Sequence, residues 1–267
     1  MVVRILCLHG MGVNAAIYAS QTATLRLMLP SDYEFDFLPA AEACEPAAGV
    51  AAFFPGPYRC WYSTPTTAAI DAAHTFILKH VQRAGPFDGV IGFSQGAALA
   101  ASILLRQELA GERPPFKFAV LFGAPLPFTH TTQHGIDLRR AFGASATVPT
   151  TSTSIPTHLA AGPDGPAAVD AFEPARADAF YQMYHASVDE VRIRVPTVHV
   201  IGARDQWRRH SLDLIGLCAK EVAFVLEHDG GHEIPRRGAE DVCDLIETAA
   251  AVASAGPVVD TGLVGKL

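Results

Sequence analysis

A serine lies between two glycines in the stretch Gly92-Phe93-Ser94-Gln95-Gly96. This G-x-S-x-G spacing is typical of a sharp strand-to-helix turn that presents a serine hydroxyl at the edge of a sheet. Five residues with three fixed positions also occur by chance in many proteins. Here an apolar stretch precedes the motif and an alanine-rich stretch follows it, which is the strand and helix context that such a turn requires. The pattern predicts that Ser94 is a nucleophile.

A serine hydroxyl is a weak nucleophile unless a base removes its proton and a third group orients that base. In chains with this turn, an acid and then a histidine follow the serine. Asp205 comes after the predicted strand 198–202, and His232 comes after the predicted strand 222–226. Both residues should therefore lie at the sheet edge that presents Ser94. The sequence predicts a catalytic triad of Ser94, Asp205 and His232.

Other residues compete for the two partner roles. His228 is the alternative base, and we favour His232 because Gly230-Gly231 lets its loop turn back toward the serine. Two of the alternative acids precede the strand that Asp205 follows, which counts against them. The alternative acids are Asp189, Glu190 and Asp229.

Acyl transfer also needs hydrogen-bond donors for the oxyanion. In this kind of site one donor is the backbone N–H of the residue after the nucleophile, here Gln95. The loop His9-Gly10-Met11-Gly12 follows the first predicted strand, and we expect the N–H of Met11 to be the second donor. We expect His9 to brace this loop instead of acting as a base.

Apolar strand-like runs alternate with helical patterns along most of the chain, which predicts an α/β fold with a mostly parallel, doubly wound sheet. A single domain is expected over residues 1–256, with 257–267 as a poorly ordered tail. The long stretch 124–190 between two strands is expected to be an inserted lid, with a helical part at 176–187. A helix is expected from Asn14 to about Met28, and another over 65–81 with Thr64 as its N-cap.

Composition excludes several classes of function. The chain has 20 Lys and Arg against 27 Asp and Glu, and no basic run that could neutralise a phosphate backbone, so nucleic-acid binding is not expected. Its five scattered cysteines show neither metal-ligand spacing nor a disulfide framework, and no metal or cofactor is expected. The apolar runs are too short for a signal peptide or a membrane span, which favours a cytoplasmic location.

Four separated motifs resemble the FSH-type family of serine hydrolases. They are Leu6-Cys7-Leu8-His9-Gly10, Gly56-Pro57-Tyr58 with Trp61-Tyr62, the run from Gly85 to Ala97, and Gly230-Gly231-His232-Glu233-Ile234-Pro235. The resemblance implies an α/β-hydrolase fold and esterase or thioesterase activity, and it supports the same triad. Fungal members of that family release an acyl or polyketide chain from the carrier of a polyketide synthase, so such a carrier is an expected partner.

Aromatic residues near the predicted site suggest an apolar binding pocket for an acyl or polyketide chain. The expected lining consists of Phe53, Tyr58, Trp61, Phe93 and Tyr181. The favoured hypothesis is a thioesterase, and the alternative is a carboxylesterase acting on small oxygen esters, which would use the same triad. A catalytically silent binding module is a third hypothesis, but such a module would be expected to lack a member of the triad.

Overall fold

The computed structural model describes residues 2–139, 159 and 181–255. Six parallel strands form the main sheet in the order β10-β9-β6-β5-β1-β2. The strands are β1 (Val3–Leu8), β2 (Tyr33–Leu38), β3 (Glu42–Ala43), β4 (Arg59–Cys60), β5 (Gly89–Phe93), β6 (Phe118–Phe122), β7 (Ile136–Asp137), β8 (Gln182–Met183), β9 (Thr197–Gly202) and β10 (Ala223–His228). The helices are α1 (Ala15–Gln21), α2 (Ala23–Met28), α3 (Thr67–Ala84), α4 (Gln95–Ala110), α5 (Arg208–Ile215) and α6 (Ala239–Ala255).

The two faces of the sheet are covered by different helices. Alternate residues of β1 point to opposite sides, so Leu6 belongs to the apolar cluster that contains residues of α3, α4 and α5, whereas Ile5 belongs to the one that contains residues of α1, α2 and α6. Both faces are therefore buried, which explains why the central strands are almost continuously apolar. The doubly wound parallel sheet that the sequence predicts is present.

Two helix starts show how local chemistry sets the boundaries. The Asn14 side chain accepts a hydrogen bond from Ile17 N at 2.9 Å and caps α1, but the predicted continuous helix is interrupted at Thr22. The cap of α3 is Thr66, whose hydroxyl accepts from Ala69 N at 3.1 Å. The prediction of Thr64 as the N-cap was wrong, because the helix starts two residues later and the proline precedes the cap.

The described ends of the 124–190 insertion pack into the protein. Strands β7 and β8 pair with each other in antiparallel fashion, and Leu159 and Tyr184 are buried. The helix predicted at 176–187 was wrong from 181 onward, because two residues of this stretch pair as β8. The rest of the predicted lid, at 140–158 and 160–180, and the predicted tail lie outside the described residues.

The search for a membrane-spanning helix covered only the described part of the chain. No helix there is long and apolar enough to cross a bilayer.

Candidate active site

Ser94 occupies the turn between β5 and α4. Its backbone angles, φ 51° and ψ −119°, lie in a region that residues other than glycine rarely adopt. Gly92 and Gly96 make this turn possible, because a Cβ on Gly92 would overlap the backbone of Ala97 and one on Gly96 would overlap the carbonyl of Leu8. The G-x-S-x-G spacing therefore follows from close packing between strand and helix.

Three side chains form a continuous hydrogen-bonded chain at the carboxyl edge of the sheet. His232 Nε2 lies 2.9 Å from Ser94 Oγ, and His232 Nδ1 lies 2.9 Å from Asp205 Oδ2. The Asp205 side chain is fully buried, and its Oδ1 accepts a hydrogen bond from Trp207 N at 2.8 Å. The serine follows β5, the acid follows β9 and the histidine follows β10, so three loops meet at one edge. This geometry can transfer a proton from the hydroxyl to the imidazole.

The described hydrogen bonds of the rival residues do not involve Ser94 or His232. His228 is the last residue of β10, and its Nδ1 accepts from Gly230 N at 3.1 Å. Asp189 sits at the end of the insertion, where its carboxylate accepts from Gly135 N and His185 N. The structure joins His232 and Asp205 to the serine by hydrogen bonds, whereas His228 lines the cavity without a described hydrogen bond to Ser94 and Asp189 bonds to the insertion.

A glycine that the sequence analysis missed makes room for the acid and the base. Gly123 follows β6 with φ +50°, and a Cβ there would lie 3.0 Å from both Asp205 Oδ2 and His232 Nδ1. The local signal was a glycine directly after a buried strand at the catalytic edge, but only the fold shows what lies opposite it.

The loop after β1, which the sequence predicts to bind the oxyanion, lies against the serine. A Cβ on Gly10 would lie 3.3 Å from Ser94 Cβ, and Gly12 adopts φ +77° with its N–H bonded to Arg59 O at 3.0 Å. The N–H of Gln95 belongs to the first turn of α4, where backbone donors have no acceptor within the helix. Met11 lies between the two loop glycines and lines the same cavity as Ser94.

His9 braces this loop from the interior. Its Nε2 accepts from Ala40 N at 3.1 Å, so Nδ1 carries the proton and donates to Gly10 O at 2.7 Å. Burial lowers the pKa of His9, which favours the neutral form that this pattern requires. Trp61 Nε1 donates to His9 O at 2.7 Å, and the Gln95 side-chain oxygen accepts from Trp61 N at 2.9 Å. The loop that carries Met11 and the first turn of α4 that carries Gln95 are thereby linked to one another through Trp61.

Comparison with known proteins identifies the family. Residues 1–241 match the protein family described as "Serine hydrolase (FSH1)". The chain belongs to this family. Among curated relatives, Esterase alnB of Emericella nidulans is 33% identical over 263 residues, covering 90% of this chain and 92% of that protein. Esterase FPY3 of Fusarium mangiferae is 32% identical over 245 residues, covering 91% and 93%.

Solved structures agree on the fold of this serine hydrolase. A carboxylesterase from Mesorhizobium loti has a TM-score of 0.54 at 13% identity, covering 92% of this chain and 88% of its own. A Bacillus cereus carboxylesterase has a TM-score of 0.52 at 15% identity, covering 93% and 89%. At such low identity the likeness concerns architecture alone. The fold is that of the α/β-hydrolases, as the sequence predicts.

The serine hydrolase has a cavity of about 1040 Å³ at Ser94, and the expected lining residues are distributed unevenly around it. Phe93 lines the cavity, and so does Phe54, which follows the expected lining residue Phe53 in the sequence. Tyr58 does not line it but supports its wall, because the Tyr58 hydroxyl donates to Phe54 O at 2.7 Å. Phe53 points to solvent and is 83% exposed.

The expectation that Trp61 and Tyr181 line the pocket is not met. Trp61 is 4% exposed and Tyr181 is 1% exposed, and both pack in the core between the sheet and helices α3 and α4. Aromatic residues in a loop sequence can serve a core or a pocket equally well, and here the loops fold their aromatic side chains inward. Within the described residues, no three His, Cys, Asp or Glu side chains are grouped as a metal site would require.

Proposed function

We propose that the enzyme hydrolyses an acyl thioester or ester through an acyl-Ser94 intermediate. The hydrogen-bonded chain from Asp205 through His232 to Ser94 carries this proposal. His232 takes the hydroxyl proton as Ser94 Oγ bonds to the acyl carbon, and the same proton passes to the departing thiol or alcohol. Water, deprotonated by His232, then attacks the acyl-enzyme and releases a carboxylic acid and free Ser94.

Groups around the three side chains would stabilise the two charges that form during the reaction, the imidazolium and the oxyanion. Asp205 holds the proton on His232 Nδ1 and stabilises the imidazolium, because its own carboxylate is buried and fixed by the backbone of Trp207. The N–H groups of Met11 and Gln95 would bind the oxyanion, and the N-terminus of α4 adds the positive end of its dipole.

The substrate we propose is an apolar acyl or polyketide chain attached as a thioester to the carrier of a synthase. The apolar part of the cavity lining and the resemblance to fungal chain-releasing enzymes support this choice. A carboxylesterase acting on small oxygen esters is the second candidate, favoured by the name Esterase of the relatives alnB and FPY3. Both candidates use the same three side chains and differ only in the leaving group.

The deciding experiment compares thioesters of N-acetylcysteamine with the isosteric oxygen esters of N-acetylethanolamine, in which only the ester sulfur is replaced. Acyl groups from acetyl to decanoyl are tested with the wild type, with Ser94→Ala and with Ser102→Ala, a serine outside the site. We expect longer thioesters to give the highest kcat/KM, with turnover lost in Ser94→Ala and retained in Ser102→Ala.

The outcomes separate the candidates. Highest activity on short oxygen esters would make the enzyme a carboxylesterase and remove the support for chain release from a carrier. Equal turnover by wild type and Ser94→Ala would overturn the assigned nucleophile. Mass spectrometry of the peptide labelled by a fluorophosphonate gives an independent check, since only Ser94 should carry the label.

A further inference from the structure

The cavity at Ser94 has two chemically different walls. One wall comes from the loop after β1, from α1 and from residues 46–57. It carries no charged residue and is mostly apolar, with Met11, Val13, Ala47, Ala48, Val50 and Phe54 beside Ser20 and Gln21. The other comes from the loops after β9 and β10, from β10 itself and from the start of α6. It includes apolar Leu226, Ile234 and Pro235, but it also carries all the charged side chains that line the cavity among the described residues: Arg204, Glu227, Asp229, Glu233, Arg236, Arg237 and Asp241. The sheet order explains the division, because β1 neighbours β5 on one side and β9 and β10 lie on the other.

The first wall is apolar over a long stretch of chain. No charged residue occurs between Glu45 and Arg59, and the loop is rich in Ala, Phe, Pro and Gly. It is held to the expected oxyanion loop at both ends, since Ala47 N donates to Gly12 O at 3.0 Å and Gly12 N donates to Arg59 O at 3.0 Å. An apolar wall fixed in this way presents a preformed surface beside the reacting carbonyl.

Proton transfer decides which part of the substrate lies on which side, and this step rests on the proposed function. His232 must give its proton to the departing sulfur or oxygen, so the leaving group has to lie on the side of His232. That histidine belongs to the loop after β10, which also forms the polar wall. With the carbonyl oxygen bound by the N–H groups of Met11 and Gln95 and the leaving group beside His232, the acyl chain is the remaining substituent, and we assign it to the opposite wall.

The geometry points to a fixed substrate orientation, with an apolar acyl chain along the 46–57 loop and a polar leaving group along the 229–237 wall. The two walls then determine two independent specificities. Ala48 and the other cavity-lining residues of the 46–57 loop set the preference for acyl length. Arg236 and Arg237 set the preference for the leaving group. The substrate class that fits is an apolar acyl group joined to a polar, amide-bearing or phosphate-bearing thiol.

The acyl side is tested with a charge placed on the apolar wall. Ala48 is exposed and lines the cavity, whereas Ala51 is exposed in the same loop and does not line it. In Ala48→Asp we expect the ratio of kcat/KM for octanoyl to that for acetyl N-acetylcysteamine to fall about tenfold, the size of effect that pocket contacts give. Ala51→Asp should keep the wild-type ratio, and melting curves should show that both variants fold.

The leaving-group side is tested with one acyl group on two thiols. Octanoyl-coenzyme A carries phosphates and octanoyl-N-acetylcysteamine does not, so their kcat/KM ratio measures recognition of the leaving group. The double variant Arg236→Ala, Arg237→Ala should lower that ratio about fivefold or more, on the order of the loss of two exposed charge contacts. Arg209→Ala removes an exposed arginine outside the cavity and should not change the ratio.

The pattern across both series decides the outcome. The orientation is supported if Ala48→Asp changes only the acyl ratio and the arginine variant changes only the leaving-group ratio. It is overturned if each variant changes the opposite ratio or if neither ratio moves, while hydrolysis by the wild type leaves the proposed function intact. A wild type that hydrolyses none of these substrates would overturn the proposed function and the orientation together.

Discussion

Among the serine–histidine pairs of the described residues, two have nearly the same distance between the histidine Nε2 and the serine Oγ. Ser94 Oγ lies 2.9 Å from His232 Nε2 at the cavity, and Ser102 Oγ lies 3.0 Å from His74 Nε2 between α3 and α4. The second pair is buried, with His74 0% and Ser102 1% exposed. Distance between the two side chains therefore does not identify a nucleophile.

What differs is the direction of the protons and the group behind the histidine. Ser102 donates its proton to Phe128 O at 2.6 Å, so His74 has to donate to the serine instead of accepting from it. The Nδ1 atom of His74 lies 3.4 Å from Nη1 of Arg106, whereas the Nδ1 atom of His232 contacts the Asp205 carboxylate. Burial first, and then the charges of neighbouring His130 and Arg106, lower the pKa of His74 well below its usual value. The buried pair holds α3, α4 and the start of the insertion together.

Replacing each serine by alanine should give the largest contrast. Ser94→Ala removes the proposed nucleophile, and we expect kcat to fall about 10⁶-fold, as for other serine hydrolases of this mechanism. Ser102→Ala should retain kcat, because no group of that pair faces the cavity. Steady-state hydrolysis of an octanoyl thioester measures both. A large loss of kcat in a folded Ser102→Ala enzyme would contradict the distinction between the pairs.

Changing the acid should give the next largest effect. Asp205→Asn keeps the size of the side chain but cannot hold His232 in the required tautomer, so kcat should fall about 10⁴-fold. Asp229→Asn, the rival acid, should cost far less, because Asp229 has no hydrogen bond to His232 among the described contacts. If Asp229→Asn proved the more damaging variant in the same assay, Asp205 would be the wrong acid.

Buried histidines should make the fold sensitive to acid. Burial lowers the pKa of His199 to about 4, below the value near 6.5 of an unfolded chain. Between these values the unfolded state binds the proton and the folded state does not, so stability falls as pH drops from about 6.5 to 4. The loss is on the order of 3 kcal/mol for a fully buried histidine.

Urea unfolding of wild type and His199→Gln at pH 7 and pH 4 tests this expectation. The difference in unfolding free energy between the two pH values should be smaller in the variant by on the order of 2–3 kcal/mol. The carboxylates titrate alike in both proteins and cancel in the comparison. Equal acid sensitivity of the two proteins would refute the contribution of His199.

The smallest expected effect is on the unfolding free energy when the buried Ser102–His74 pair is disrupted. Ser102→Ala removes the hydroxyl that bonds to both His74 Nε2 and Phe128 O, so the unfolding free energy should fall by about 1–3 kcal/mol. Ser94→Ala loses one side-chain hydrogen bond, to His232, at a partly open site and leaves the packing of the core unchanged. Its unfolding free energy should therefore change less. Thermal melting of the two variants side by side checks this order.

Much of the architecture could be predicted because its causes are local. Apolar runs such as β5 and β6 mark buried parallel strands, and Asn14 caps its helix through a side chain three residues from its partner. Thr66 shows the limit of such arguments, because Thr64, Thr66 and Thr67 are chemically equivalent caps in sequence. Only the structure shows which of them caps the helix, through the hydrogen bond that the Thr66 hydroxyl accepts from Ala69 N.

The sequence by itself determined the residue types at the catalytic edge, because the order of strands and turns places Ser94, an acid and a histidine after three parallel strands. Only the tertiary structure decided that His232 rather than His228 contacts a serine 138 residues away, and that Gly123 leaves space for its imidazole. It also decided that Trp61 and Tyr181 belong to the core while Phe53 faces solvent. These outcomes depend on contacts between distant segments, which no local pattern of residues encodes.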